Sequence, residues 1–287
     1  MPNQTNQTLQ HISSNMRVKF ITPSKHHADF VNFDMYNLLR QELTAHGEVE
    51  IVDVSPDIVH IFGLWNRSYT MRVRHFRHIC VPVVFTSIRG MLPLIDGNGN
   101  TTSSLSTRMA VRAVCSSGAL IHTCGPVEKS KIEIIAKKST SEIIGNPTMT
   151  SGFGADDMLR KFESLYVNES QRNVSRIRNV ISERVGKLHA TDDKCIMDIC
   201  SRILYIKKRY IMQNIPLAFL QETADVMTNS DYDEDTMRDA LAELKLYDFA
   251  SYAMTLLRNN ADLTEGFMPL AYTEGNLVGR MENVIIK

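Results

Sequence analysis

The sequence predicts an α/β protein in which a mostly parallel sheet is followed by a small all-α domain. Up to about residue 150, short apolar runs alternate with segments of helix length. The runs Ile58–Phe62 and Val81–Phe85 are apolar at nearly every position, which is typical of parallel strands buried on both faces. Beyond Thr150 these runs stop, and amphipathic helix patterns follow one another. We therefore predict a Rossmann-like sheet domain over residues 16–150 and a helical domain over residues 151–287.

The composition limits the classes of function. The chain has 287 residues, of which 43% are hydrophobic and 22% charged, and its 32 basic residues equal its 32 acidic ones. Zero net charge argues against a dedicated nucleic-acid-binding protein, which needs a basic face to replace phosphate counterions. Five cysteines without a CxxC pair indicate reduced thiols. Because residues 1–15 lack a signal-peptide pattern and no apolar run is long enough to span a bilayer, we expect a cytoplasmic protein with a disordered N-terminal tail and no transmembrane segment.

The sheet domain is predicted to begin with strand Arg17–Ile21, helix Phe33–Thr44 and a second strand, Val49–Val54. In the second strand apolar and acidic residues alternate, which suits an edge strand with one face in water. The next strand, Ile58–Phe62, follows after only a few residues, whereas a parallel crossover needs about a dozen. These two strands are therefore either a tight antiparallel pair or lie at distant positions in the sheet.

A basic helix, Asn66–Ile79, joins the two buried strands. Its apolar residues form one stripe, and much of the remaining surface is covered by Arg67, Arg72, Arg74 and Arg77. The helix is either the solvated face of a crossover or a contact surface for anionic lipid headgroups or a lipid-phosphate acceptor. The elements predicted after it are strand Val81–Thr86, the low-complexity stretch Asp96–Thr107, helix Arg108–Cys115, strand Ala119–His122, helix Pro126–Ile135 and strand Glu142–Ile144.

Most of the second half is predicted to be helical. The predicted helices are Met158–Tyr166, Val174–Val185, Asp192–Met212, Pro216–Met227, Glu234–Leu246 and Phe249–Asn259. Thr191–Asp193 provides an N-cap for the longest of them, and Ala261–Lys287 is predicted to be irregular. The acidic segment Asp231–Asp235 resembles the opening of an EF-hand calcium loop, but no glycine stands at the sixth position, so we predict no metal site.

Four segments resemble motifs of one known family. They read PDIVHIFGLW from Pro56, VPVVFTSIRGM from Val81, SGALIHTC from Ser117, with Glu128-Lys129 shortly after, and IIGNP from Ile143. In this order they resemble the N-terminal, acceptor-side domain of GT-B glycosyltransferases of the retaining, family-4-like kind. The resemblance covers roughly residues 16–150. It implies the transfer of a sugar from a nucleotide-sugar donor to an acceptor.

The chain departs from that family at three places. Ser24–Asp29, after the first strand, contains none of the glycines that let the family's backbone approach a donor diphosphate. Arg89 stands where the family has histidine before glycine, and a guanidinium cannot act as a base near neutral pH. The second Rossmann domain, which in the family binds the sugar nucleotide, has no counterpart in the helical half. The resemblance thus implies a half-transferase with a degenerate or incomplete donor site.

Polar residues and glycines follow several of the predicted strands. Because the carboxyl ends of parallel strands meet at one edge of the sheet, we expect these residues to form a ligand site there. The predicted catalytic residues are His27, as a general base, and Arg89, which the resemblance makes a stabiliser of charge on the donor phosphate. The predicted substrate-binding residues are Ser24, His26, Gly63, Trp65, Asn66, Ser87, Gly90, Thr123, Gly125 and Asn146.

Several of these residues also have a purely structural explanation. Trp65, the only tryptophan, either offers an aromatic face to a sugar ring or lipid tail or caps the core at a loop. Arg89 either clamps a phosphate or carboxylate or pairs with a local acid. His26 and His27 either take part in the site or are solvated in a loop, and His60 is predicted to be a hydrogen-bonded core residue.

Two hypotheses about function follow. In the first, the chain is a glycosyltransferase-like protein that binds a sugar or glycolipid acceptor, or a nucleotide sugar, at the edge of the sheet. The resemblance then implies polysaccharide assembly, with the nucleotide-sugar donor as the only cofactor-like ligand and with contact to a membrane surface through the basic helix. In the second, it is a non-catalytic half-transferase that binds a protein partner, or itself as a homo-oligomer, through its helical domain. A different nucleotide-using enzyme, such as a small epimerase, is disfavoured because GxGxxG and P-loop signatures are missing.

Overall fold

The structure is a computed structural model that describes residues 16–23, 33–46, 49–88, 104–136, 141–145 and 154–286. By their internal contacts the residues form two compact units, 15–173 and 174–287. The division falls inside a helix rather than at the predicted boundary near residue 150. The predicted N-terminal tail, residues 1–15, lies outside the described residues.

The first unit contains a six-stranded sheet whose strands all pair in parallel. The strands are β1 Met16–Ile21, β2 Val49–Ile51, β3 Ile58–Gly63, β4 Val83–Ser87, β5 Leu120–Thr123 and β6 Ser141–Ile143. The helices are α1 Phe33–His46, α2 Arg67–His78, α3 Leu105–Ser116, α4 Pro126–Ile135 and the first part of α5 Ala155–Val185. The order across the sheet is β2-β1-β3-β4-β5-β6. The α/β class with a Rossmann-like parallel sheet is thereby confirmed.

The strands β2 and β3 lie on opposite sides of β1. Met16–Val18 pairs with β2, and Val18–Ile21 pairs with β3. The chain therefore passes from one side of β1 to the other. The predicted alternative in which the two strands lie at separate positions in the sheet is correct, and the tight antiparallel pair is not formed. Arg17 holds this link, because its backbone N–H donates to Asp57 Oδ2 (3.1 Å), its carbonyl accepts from the Asp57 N–H (2.8 Å), and its guanidinium donates to the Ser55 carbonyl (2.9 Å). The strand predicted to reach Val54 ends at Ile51 because the chain turns here.

The sheet is covered by helices on both faces. Three successive crossovers lead from β3 to β6 in one direction, whereas the crossover through α1 leads in the other. Because such crossovers are right-handed, α2, α3 and α4 cover one face and α1 covers the opposite one. The link between β2 and β3 is too short to contain a helix. The first part of α5 fills the uncovered area beside α1, where Phe162 and Tyr166 are buried in one cluster with Leu39, Leu43 and Phe62. This packing places α5 up to Asn173 in the sheet unit, contrary to the predicted boundary.

The second unit is helical, as predicted. Its elements are the end of α5, α6 Lys194–Ile211, β7 Ile215–Pro216, α7 Leu217–Thr228, α8 Glu234–Glu243, α9 Tyr247–Ala261, a 3-10 helix Glu265–Phe267, α10 Asn276–Glu282 and β8 Ile285–Ile286. The predicted cap of the longest helix of this unit is present, since Asp193 Oδ1 accepts from the Cys195 N–H at 2.7 Å. The segment predicted to be irregular after Ala261 instead contains α10 and the short strand β8, which pairs with β7. Among the described residues, no helix is long and apolar enough to cross a membrane.

Candidate functional site

The carboxyl edge of the sheet has a topological switch point between β1 and β3. From β1 the chain proceeds to β2 on one side, and from β3 it proceeds towards β6 on the other. In open parallel sheets, ligands bind in the crevice outside the carboxyl ends of the two strands at such a point. Residues 22–32 follow β1, and Leu64–Asn66 follow β3. The predicted site therefore has the expected position in the topology.

Half of the predicted site residues are not covered by the structure. Those outside the described residues are Ser24, His26, His27, Arg89, Gly90 and Asn146. Both predicted catalytic residues belong to this group and stay predictions. The other predicted site residues lie at the ends of β3, β4 and β5, and each is described below.

The Trp65 side chain is buried, so its indole ring does not present an open face to a ligand. Its side chain is 9% exposed, and its ring centroid lies 4.8 Å from that of Phe85 in β4. The interpretation of Trp65 as a cap on the core is thereby supported, and stacking of a sugar on an exposed indole is not. The indole Nε1–H, however, is buried and has no hydrogen-bond acceptor among the described residues. Leaving a buried donor unsatisfied costs about 1–3 kcal/mol. This N–H is therefore an unused hydrogen-bond donor at the end of β3.

Gly63 is required by packing. A Cβ atom at this position would lie 2.6 Å from Cδ1 of Tyr69 and 2.9 Å from Cε2 of Phe85. The ring of Tyr69, at the start of α2, therefore occupies the space that a side chain would need. The carbonyl of Gly63 accepts from the Ile88 N–H at 3.0 Å. The glycine allows this close packing at the end of β3, where it is buried, and nothing in its surroundings indicates a ligand.

Asn66 is the N-cap of α2. Its side-chain oxygen accepts from the Tyr69 N–H at 3.1 Å, which satisfies one of the free N–H groups of the first turn. Its backbone carbonyl accepts from the Thr70 hydroxyl at 3.0 Å. Asn66 thus fixes the start of α2 directly after the carboxyl edge, and it is half-buried there.

At the ends of β4 and β5, Ser87 and Thr123 are buried. Ser87 pairs in register with Gly63, and the Thr123 hydroxyl donates to the Glu142 carbonyl at 3.2 Å. Both residues are therefore part of the sheet rather than of an open surface. Gly125, the N-cap of α4, is half-buried with open space where a Cβ would stand. Of these three predicted residues, only Gly125 lies where a ligand could approach.

The first turn of α4 carries its own carboxylate. Glu128 Oε2 accepts from the Cys124 N–H at 2.8 Å, next to the N-terminus of the helix. Burial raises the pKa of Glu128, while the bond from the Cys124 N–H and the nearby Lys131 oppose the shift. Burial, together with the Glu128 charge, raises the pKa of the Cys124 thiol to about 12. Cys124 is consequently a protonated thiol near neutral pH and not an activated nucleophile.

A buried hydrogen-bond chain crosses the sheet below the edge. His60 Nδ1 lies 2.7 Å from the Tyr166 hydroxyl, and His60 Nε2 lies 2.7 Å from Thr86 Oγ1. Thr86 Oγ1 is also 2.9 Å from His122 Nδ1, and His122 Nε2 is 3.0 Å from the Ile144 carbonyl. The prediction that His60 is a hydrogen-bonded core residue is confirmed. The other members were missed, because a threonine and a histidine in separate apolar runs give no sign of meeting.

The last acceptor fixes the direction of every bond in this chain. A carbonyl can only accept, so His122 donates through Nε2 and accepts at Nδ1 from Thr86. Thr86 then accepts from His60 Nε2, and His60 Nδ1 accepts from Tyr166. Burial lowers the pKa of His122 to about 4, although the hydrogen bond to the Ile144 carbonyl opposes this shift. Burial, and to a smaller extent the neighbouring His122, keeps the pKa of His60 well below its usual value. Burial likewise raises the pKa of Tyr166 well above its usual value. The chain is neutral, fully satisfied and closed to solvent, so it stabilises the fold and is no proton donor to a ligand.

The described part of the edge therefore offers hydrogen-bonding groups and no pair of nucleophile and base. Within the described ranges, no group of three His, Cys, Asp or Glu side chains is placed to hold a metal ion. The group that distinguishes the edge is the Trp65 N–H, which has no acceptor among the described residues. Comparison with known proteins adds no relative: no family model, no curated protein and no solved structure matches the chain.

Proposed function

We propose that the chain is a glycosyltransferase-like protein that binds a sugar-containing acceptor or a nucleotide sugar at the carboxyl edge, beside the β1/β3 switch point. The observation that supports this most is the buried Trp65 N–H, which has no acceptor among the described residues. Sugars and nucleotides carry many hydroxyl and phosphate oxygens, so they supply the missing acceptor. The resemblance of Pro56–Trp65 and Val81–Met91 to GT-B acceptor domains points to the same ligand class, and a cytoplasmic location is part of the proposal.

If the protein transfers sugar, the chemistry follows from the resemblance. In retaining transfer of this kind the donor phosphate itself acts as base, and Arg89 stabilises the charge that develops on it. His27 is the protein group proposed to move a proton at the acceptor. The helical unit does not supply the second Rossmann domain that binds the donor in the family, because residues 174–286 form no strand longer than two residues.

The experiment that tests this proposal uses the emission of the only tryptophan. The protein is titrated with a panel of nucleoside diphosphate sugars, the corresponding nucleoside diphosphates and free oligosaccharides. We expect a saturable change in Trp65 emission with at least one sugar-containing ligand. We also expect thermal stabilisation, which amounts to about 2.7 kcal/mol at a ligand concentration a hundredfold above Kd. A panel without any saturable change and without any stabilisation overturns the proposal.

A non-catalytic binding module is the second candidate, and it is favoured by one observation. The described helical unit contains no sheet that could serve as the second, donor-binding domain of a GT-B enzyme. In this case the unit docks on a protein partner or on a second copy. Complementation of a gene deletion separates the two candidates. If the chain is a binding module, Trp65→Phe and Arg89→Ala retain function, and changing the exposed acids Asp235 and Asp239 on α8 to lysine abolishes it. If the chain is a transferase, the first two changes abolish function and the changes on α8 retain it.

A further inference from the structure

The chain is neutral overall, but its charge is unevenly distributed. Between Ile58 and Val127 there are seven arginines, no lysine and one acidic residue, Asp96. The helices α2 and α3 lie within this segment, are neighbours in the same layer and contain no acidic residue. Their combined surface therefore has a strong local positive charge on a protein whose net charge is zero.

Each of the two helices has an outward stripe opposite the residues that pack on the sheet. In α2 the buried residues are Tyr69, Thr70 and Val73, and in α3 they are Val111, Val114 and Cys115. The exposed positions repeat at helical spacing in both helices. The α2–α3 outer face consists of Arg67, Met71, Arg74, Leu105, Met109 and Arg112.

The arginines of this face are not used in ion pairs within the described part of the chain. Arg67 and Arg74 are exposed and lie in helices without acids, and neither makes an ion pair with any residue that the structure describes. Arg112 donates through Nε to the Ile135 carbonyl at 3.1 Å, which leaves the rest of its guanidinium exposed. Arg67 also stands in the first turn of α2, where the helix dipole disfavours a cation. The helix itself therefore does not stabilise the Arg67 charge.

Large apolar side chains stand among these arginines. Met71 is 54%, Leu105 71% and Met109 62% exposed. On the adjoining helix α4, Val127 and Ile134 are exposed as well. Exposed apolar side chains that occur singly need no explanation, but here they share one layer of parallel helices with unpaired guanidinium groups. This combination is typical of surfaces that lie in the interface of a membrane.

We propose that the α2–α3 outer face docks on an anionic lipid bilayer. The guanidinium groups bind lipid phosphates, for which their planar donor pairs are suited. Met71, Leu105 and Met109 enter the region between the headgroups and the acyl chains. The helix α2 begins at the carboxyl edge of the sheet, because only Leu64–Asn66 separate it from the end of β3. The docking itself does not depend on which ligand binds at that edge.

The exposed methionine and leucine side chains favour lipid over two other anionic occupants, nucleic acid and the acidic surface of a second copy of the chain. Nucleic acid offers phosphates but no apolar phase for these side chains, whereas a bilayer offers both. A second copy could offer the acidic segment from Asp231 to Glu243. There, however, Arg238 already pairs with Glu234 and Asp235.

Vesicle co-sedimentation of the full chain tests the proposal. Vesicles of equal parts phosphatidylcholine and phosphatidylglycerol are compared with vesicles of phosphatidylcholine alone, at low and at physiological salt. We expect binding to the anionic vesicles only, weakened by salt. One arginine near an anionic surface changes the partition coefficient about fivefold, so Arg67→Gln with Arg74→Gln lowers it about twenty-five-fold. Met71→Ser with Met109→Ser, which keeps every charge, lowers it as well.

The control variant is Arg160→Gln with Arg172→Gln. It removes the same charge from exposed positions on α5, where each arginine pairs with an acid on its own helix, and it is expected to bind vesicles like the parent. Equal loss in the control, or no loss with Met71→Ser and Met109→Ser, overturns the lipid assignment. Two other results also overturn it: binding of a labelled single-stranded oligonucleotide that is tighter than vesicle binding, and self-association in sedimentation velocity that Arg67→Gln with Arg74→Gln abolishes. The tryptophan titration at the carboxyl edge is a separate readout, so either idea can fail alone.

Discussion

The substitution Thr86→Val tests the buried hydrogen-bond chain most sharply. Valine has nearly the same shape as threonine, so the change leaves no cavity of consequence and removes only the hydroxyl. That hydroxyl accepts from His60 Nε2 at 2.7 Å and donates to His122 Nδ1 at 2.9 Å. Its loss leaves two buried nitrogen atoms without partners, each at a cost of about 1–3 kcal/mol. The free energy of unfolding is therefore expected to fall by about 2–6 kcal/mol.

Tyr166→Phe is the matched comparison, because it removes only the donor to His60 Nδ1. One orphaned nitrogen gives an expected loss of about 1–3 kcal/mol, half that of Thr86→Val. The control is Thr123→Val, a buried threonine of the same sheet whose hydroxyl makes one bond to a backbone carbonyl, for which we expect about 1 kcal/mol.

Urea unfolding followed by tryptophan emission is the suitable assay. Trp65 belongs to the sheet unit, so its signal reports the unfolding of that unit even if the helical unit unfolds separately. A loss for Thr86→Val no larger than for Thr123→Val would refute the account in which the Thr86 hydroxyl satisfies both buried histidines.

Three further changes are expected to have measurable effects. Because burial lowers the pKa of His122 to about 4, from about 6.5 in an unfolded chain, the unfolded chain binds more protons between these values. The contribution of His122 to the free energy of unfolding is fully present above pH 6.5 and falls by about 3 kcal/mol as the pH drops towards 4. Urea midpoints that do not change from pH 7 to pH 4.5 would contradict this. Gly63→Ala places a Cβ against the Tyr69 ring and is expected to lower the free energy of unfolding by about 1–3 kcal/mol, and a neutral effect in the same assay would show that the ring can move. Asp193→Ala removes the N-cap of α6 and is expected to cost about 0.5–2 kcal/mol in unfolding followed by circular dichroism, whereas Asp193→Ser should retain most of the stability.

The sequence was sufficient for the sheet and insufficient for what covers it. The runs Ile58–Phe62 and Val81–Phe85 predicted buried parallel strands because burial on both faces leaves its mark on every position. The role of α5 could not be predicted in the same way. Its first part completes the face beside α1 because the link from β2 to β3 has no helix, and a helix pattern alone does not say which surface it packs against. The compact units therefore divide at residue 173, inside α5, whereas the prediction placed the boundary near residue 150.

Prediction of the site met a similar limit. Gly63 and Asn66 have the composition of a ligand loop, yet one makes room for Tyr69 and the other caps α2. Trp65 was expected either at a ligand or on the core, and its ring packs on the core while its N–H remains without a partner among the described residues. Such assignments depend on neighbours that are distant in the sequence. Only the topology, which places the ends of β1 and β3 at a switch point, supports the predicted position of the site.

The most direct test of a ligand site at the carboxyl edge is the indole N–H resonance of Trp65 in a ¹⁵N-labelled sample. The chain has one tryptophan, so the assignment requires no further experiment. In the free protein we expect the proton shift of an indole without a hydrogen bond and slow exchange with solvent. On addition of a sugar-containing ligand that stabilises the protein, this resonance is expected to move downfield as the N–H acquires an acceptor. A resonance that stays in place while the same ligand saturates the protein would contradict a site that uses Trp65.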